Sequence, residues 1–422
     1  MPFVVRDDIR TSDYLFQTAV TTYQAYNTWP GRWVPDPTPT PTPQSTPYPT
    51  PNPDDYWESG RSLYGGILSN GPEIPEIQGN GRQAREVSFN RPYLISNLRP
   101  ETSAGDFFQW EYNMVRWMEK EGYDVTYTTD VDTDAADALQ NALSPGKHKV
   151  FLSVGHDEYW SWKMRDNIEK ARDRTNQPLN IGFFGANISH YQIRFAPSSS
   201  NTVPAMAPNR TIIAYKELAE SVNPNWADPV ISNDSSGIPE DLLDNFKATG
   251  KWRRALFFGT QCPEGMENCF KKPEDELVGV MTDVANPTGG GDFKFDDACP
   301  AWVKSMLPDP SVGFAQLLGY EADRIYPANV YPGRTMQTIG KSSFIGEGGK
   351  TLSHSVYYKV TANNARVFAA GTIQWAWGLD GAGGDGSLGN AWHPLIYSSR
   401  VEVVTRNILS CLRDGGSACG ES

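Results

Sequence analysis

The stretch KVFLSVGHDEYWSWKMRDNIEKARDRTNQPLNIGFFG, residues 149–185, decides the fold class. Residues 149–154 form a short apolar run bounded by turn signals, the pattern of a strand buried on both faces. Residues 161–174 carry a helix, and 180–185 predict a second buried strand. Strand, helix and strand joined by short loops build parallel neighbours in one sheet.

Working outward, the same rhythm continues. Phe107, Trp110, Met114, Trp117 and Met118 share one helical face over 107–121, and Gly122 stops that helix. Residues 123–128 predict a short strand, and 134–143 a second helix ended by Pro145-Gly146. The aromatic and β-branched run 14–26 predicts a strand running into a loop. Towards the end of the chain, 353–360 and 365–370 predict strands, followed by the Trp-rich GTIQWAWG (371–378), and 400–412 a closing helix. The expected fold is α/β: a mostly parallel sheet flanked by helices, with a large mixed loop-rich insertion before the last strands. Core is expected over 1–33 and 58–200, a loop-rich excursion over 201–345, and completion of the core over 346–422. Residues 34–57 hold a Pro-Thr tract that cannot form helix or sheet and is expected to be an extended insertion.

Composition excludes some functions. Hydrophobic residues make up 39% and charged residues 21%, a soluble globular balance, and aromatics reach 12%, a surplus that suits pocket walls. The net charge of −13 argues against a nucleic-acid partner, because phosphate binding needs a positive footprint. No apolar stretch is long enough for membrane insertion. The first ten residues lack the apolar region of a signal peptide, which makes a cytoplasmic protein the default and an extracellular one the alternative if upstream sequence is missing. Cys262 and Cys269 sit close together with a Pro/Gly loop between them, so they are expected to be ordinary thiols or to form one small loop disulfide. The cysteine spacings match no zinc site.

In open parallel sheets ligands bind beyond the carboxyl ends of the strands. That selects three corners: His156-Asp157-Glu158 after the 149–154 strand, Gly185-Ala186-Asn187 after the next, and Gln374 with Trp375 and Trp377 after the last. Asp157 is expected to cap the following helix. No Cys or Ser occupies the first corner, so covalent nucleophilic catalysis is not expected there. The five His make no H-x-H or H-E-x-x-H set. Acid/base or metal chemistry remains, and carboxylate and phenolate oxygens are hard donors suited to trivalent iron.

The strings TTYQAYN (21–27), GRSLYG (60–65), SVGHDEYWSWKMRDNIEKARDR (153–174), FFGANISHYQIRF (183–195), GYEADR (319–324) and RVFAAGTIQWAWGLD (366–380) resemble the C-terminal region of the large (beta) subunit of N,N-dimethylformamidase and its relatives. The resemblance implies an amidotransferase-like α/β core and a mononuclear Fe3+ held by two Tyr and one Glu. It also implies hydrolysis of a small amide, with a small partner subunit or homo-oligomer. Carried over, the metal ligands are Tyr23, with Tyr26 as its alternative, Tyr64 and Glu158. The catalytic residues are His156 as proton carrier, Asn187 as oxyanion donor, and Glu321. Zinc or manganese would be the alternative ion. From a different class, a non-catalytic or carbohydrate-associated surface module would use the Trp residues as a binding platform.

Overall fold

The computed structural model describes residues 4–5, 7, 9–27, 29, 32–34, 56–58, 62–63, 84–93, 106–135, 142–198, 207–216, 219, 228, 249–253, 272–282, 291–346, 349–387 and 393–421. The main sheet has seven strands: β1 (Ser12–Thr18), β2 (Val125–Thr129), β3 (His148–Gly155), β4 (Asn180–Gly185), β5 (Arg334–Gly346), β6 (Gly349–Val360) and β7 (Arg366–Ala369), in the spatial order β5-β6-β7-β4-β3-β1-β2. The run β7-β4-β3-β1-β2 is parallel throughout, while β6 is antiparallel to both β5 and β7. Read from the other edge, the parallel strands stand in the order 2-1-3-4-7. The chain therefore leaves β1 in one direction and β3 in the other, and the gap between them is the switch point where α/β sheets place ligands.

Side-chain alternation explains why these strands are apolar on both faces. Tyr14, Phe16, Val150, Leu152, Val154, Phe184 and Phe368 point to one side. There they meet Met114, Trp117 and Met118 of the helix Tyr112–Lys120, and Val401, Val404, Ile408, Leu409 and Leu412 of the helix Ser399–Asp414. Leu15, Phe151, Ile181, Phe183, Val367 and Ala369 point to the other, against Met164, Ile168 and Ala171 of the helix Trp162–Asp173.

Three elements depart from the expectations. Residues 20–25 are a short helix, Val20–Ala25, where a loop was expected. Its first turn is β-branched, and its amide end is met from afar: the Asp130 carboxylate accepts from the Thr21 amide at 2.7 Å and the Thr21 hydroxyl at 2.6 Å. The second helix begins earlier than expected, at Asp130–Asp134, on a capping box between Thr129 and Asp132; residues 136–141 lie outside the described residues. The excursion 201–345 ends inside regular structure, because β5 and β6 form one long antiparallel hairpin with a bulge between Thr338 and Gly340. The Pro-Thr tract and Cys262 and Cys269 lie outside the described residues. Among the described residues a disulfide joins Cys411 and Cys419, pinning the last turn to the closing helix.

A second sheet contains Tyr191–Ala196, Thr211–Ile213, Glu86–Ser88 and Gly250–Lys251, with Tyr159–Ser161 paired parallel to Tyr191–Ala196. Strands β3 and β4 thus each leave the main sheet and enter this second one side by side. Residues 156–158 and 186–190 are the two links that cross between the sheets.

Candidate active site

The corner begins at Gly155, whose φ of 69° is natural only for glycine; a Cβ there would come within 2.5 Å of Trp110 Cβ. The turn delivers three side chains with three different surroundings. Asp157 does not cap the helix, which corrects the expectation: Ser161 does, its hydroxyl accepting from the Met164 amide at 3.0 Å. A three-residue strand intervenes, so the carboxylate of Asp157 is too far back. It lies instead beneath the corner, accepting from Gln17 Nε2 at 2.9 Å, Ser153 Oγ at 2.8 Å and Trp160 Nε1 at 2.8 Å. Burial pushes its pKa up to about 6 against the pull of those three donors.

His156 and Glu158 face the other way, into the space between the sheets. Both are buried, and His156 Nε2 lies 3.2 Å from Glu158 Oε2 and 3.6 Å from Glu321 Oε2. Burial works against a charged imidazole here, but the carboxylates of Glu321 and Glu158 outweigh it and raise the His156 pKa to about 10. For Glu158 burial works against the charge too, yet the neighbouring His156 imidazole, with Lys216 beyond, holds its pKa below the ordinary value. Burial, with Glu158 and Asp323 nearby, raises Glu321 to about 7 although His156 draws it down.

The structure brings Glu321 and Asn187 to this corner. Asn187 Nδ2 donates to Glu321 Oε1 at 3.2 Å, and its backbone amide donates to Asp323 at 3.0 Å. Asn187 holds φ at 56°, a strained value fixed by that amide bond. Two buried acceptors at the corner, Glu321 Oε2 and Asn187 Oδ1, have no hydrogen-bond donor, and His156 Nε2 has no well-aligned acceptor. Buried polar atoms normally find partners, so their convergence marks a place for a ligand.

Of Tyr23, in the helix Val20–Ala25, and Tyr26, just after it, Tyr26 is the one on Glu158: its hydroxyl donates to Glu158 Oε2 at 2.7 Å, and its ring lies 5.1 Å from the His156 ring. Tyr23 is fully engaged elsewhere, its hydroxyl donating to the buried Glu111 carboxyl. Burial and that carboxyl raise its pKa well above the ordinary phenol. Tyr64 lies outside the described residues; its neighbour Leu63 donates its amide to Ala25 at 2.9 Å, beside Tyr26. Among the described residues, no three His, Cys, Asp or Glu side chains are grouped to hold a metal ion. An ion at this corner would draw on phenol oxygen as well as on Glu158, both hard donors.

Trp375 is a core residue packed on Phe184, Phe293 and Phe368, its indole donating to Thr405. Trp377 stacks at 4.9 Å on Trp110, and Trp110 presents its edge to His156 at 6.4 Å. Trp110, which the sequence offered only as a member of an apolar helical face, is an indole in contact with the corner's imidazole. Its π-helical turn, Phe107–Glu111, is the feature that could have marked it.

The family model described as N,N-dimethylformamidase beta subunit-like, C-terminal, matches residues 1–390. The chain belongs to this family. No curated protein matches it. The region shared with the N,N-dimethylformamidase beta subunit-like family takes in every side chain of the corner, from Tyr23 to Trp377.

Proposed function

We propose that the protein is a metal-dependent hydrolase of small-molecule amides or related C–N bonds, with its active site at the His156–Glu158 corner. The observation that carries this reading is the contact of the Tyr26 hydroxyl, the Glu158 carboxylate and the His156 imidazole beside the donorless Glu321 and Asn187 oxygens. Glu158, Tyr26 and Tyr64 would hold the ion, with Tyr23 as the alternative phenol. The oxygen donors suit trivalent iron, with zinc or manganese as the alternative ion. An ion held there would polarise the amide oxygen and make water a stronger nucleophile.

The chain's own residues supply the proton transfers. Glu321, with a pKa near neutrality, takes a proton from the attacking water. His156, charged at neutral pH, gives one to the departing nitrogen. Asn187 holds Glu321 with one N–H and keeps the other for the developing oxyanion. Trp110 closes the pocket to bulky substrates. The surface-module alternative loses its platform, since Trp375 is 0% and Trp377 3% exposed.

Elemental analysis and visible absorption of the purified protein test the proposal. Iron with a tyrosinate charge-transfer band, lost in Tyr64→Phe with the fold intact, is the expected result. Folded, colourless protein without metal and without hydrolysis of N,N-dimethylformamide overturns it.

A further inference from the structure

A second imidazole stands at the same corner. His190 ends the link from β4, immediately before Tyr191, which is paired in parallel register with Tyr159. One residue back along that register, His190 lies beside Glu158, at the roughly 4.8 Å spacing of neighbouring strands. The Tyr191 amide donates to the Glu158 carbonyl at 3.0 Å and so fixes the juxtaposition. His190 is buried, and it and Glu158 are near enough for each to act on the other's charge.

One nitrogen of the ring is tethered. His190 Nδ1 lies 3.2 Å from Glu274 Oε1. Glu274 is itself gripped by Arg253, whose Nε and Nη2 donate to Oε1 at 2.9 and 2.8 Å, with Nε also 3.2 Å from Oε2. A carboxylate accepts only, so Nδ1 must carry a proton to meet it. Arg253 Nη2 also approaches Nδ1, but at 3.5 Å, the outer limit of a hydrogen bond. Among the described residues nothing bonds Nε2. A carboxylate fixing one ring nitrogen so that the other is presented as a lone pair is how imidazoles are prepared to bind or to accept protons.

We propose that His190 is a second imidazole of the site, held by Glu274 as the Nδ1–H tautomer and offering its Nε2 lone pair beside Glu158 to an N–H or O–H of the bound molecule. The inference rests on the pocket lying at this corner, but not on iron. In the amidase reading that donor is the attacking water or the leaving amine.

Long-range proton–nitrogen NMR of the full chain at neutral pH resolves the test, because only five histidines are present and His190→Gln assigns the signal. The expected result is a protonated Nδ1 and a bare Nε2, a shift of the Nε2 resonance in Glu158→Gln, and mixing of the tautomers in Glu274→Gln. An imidazolium, an Nε2–H tautomer, or a resonance indifferent to Glu158→Gln overturns the assignment. On formamide substrates His190→Gln should lower kcat about 100-fold with metal content unchanged; an unchanged kcat also overturns it. If the unsubstituted protein hydrolyses no amide while the NMR results hold, the amidase reading falls and the assignment of His190 stands.

Discussion

Tyr23 and Tyr26 come from one turn of chain and meet different carboxylates, and this separates their expected effects. Removing the Tyr26 hydroxyl strips an oxygen donor from Glu158. Tyr26→Phe should therefore lower metal content at least severalfold while moving the urea midpoint little. Removing the Tyr23 hydroxyl leaves the buried Glu111 carboxyl with one donor fewer, the Ala19 amide at 3.1 Å remaining. Tyr23→Phe should cost about 1–3 kcal/mol of stability by urea unfolding; retained metal would settle which phenol is the ligand. Asp157 makes a second case. Three donors fill its two oxygens, so Asn, which must turn an N–H towards one of them, cannot satisfy the cluster. Asp157→Asn should destabilise by about 1–3 kcal/mol in urea unfolding. An effect under about half a kcal/mol would show that the carboxylate is not the anchor of the corner.

At the scale of elements, the legible parts were those whose signal is local. The strand 180–185 was read from its apolar run and is present as Asn180–Gly185, and the expected 161–174 helix is present as Trp162–Asp173. What failed depended on distant partners. The helix Val20–Ala25 is stabilised at its start by Asp130, more than a hundred residues away. Most of β6 was expected, as 353–360, but β5 was not, because residues 334–346 show neither a continuous apolar run nor a regular alternation. Glu158, His156, Asn187 and Glu321 could be named from motifs. That Tyr26 faces Glu158, that Asp157 lies beneath the corner, and that Trp110 is the adjacent indole are facts of packing. Gly155 tests the corner as an element. Gly155→Ala combines a left-handed backbone with a steric overlap on Trp110, and should cost about 2–4 kcal/mol, read from the shift in urea midpoint.

Across the whole molecule, buried carboxyls of two kinds set the pH dependence of stability. Burial opposes the charge of Glu274, but Arg253 and His190 outweigh it and hold its pKa at about 2. A group whose folded pKa is depressed stabilises the fold above its ordinary value of 4.5 and loses that contribution as pH falls towards 2. Asp323 behaves oppositely. Burial raises its pKa to about 6, so its contribution is full below the ordinary carboxylate range and is lost as pH rises through 6. Metal-free protein should therefore be most stable near about pH 4–5, by urea midpoints measured across pH. Glu274→Gln should flatten the acid limb, removing up to about 3 kcal/mol of its fall.

The closing helix carries a consequence for how the chain can be divided. The family match ends at residue 390, yet Val401, Val404, Ile408, Leu409 and Leu412 of Ser399–Asp414 fill one side of the main sheet, and the disulfide ties the residues after them back onto that helix. A fragment trimmed at the limit of recognisable sequence would expose the apolar faces of β1, β3, β4 and β7 to water and invite aggregation. Expression boundaries, fusion points and affinity tags on the C-terminal side therefore belong beyond Cys419.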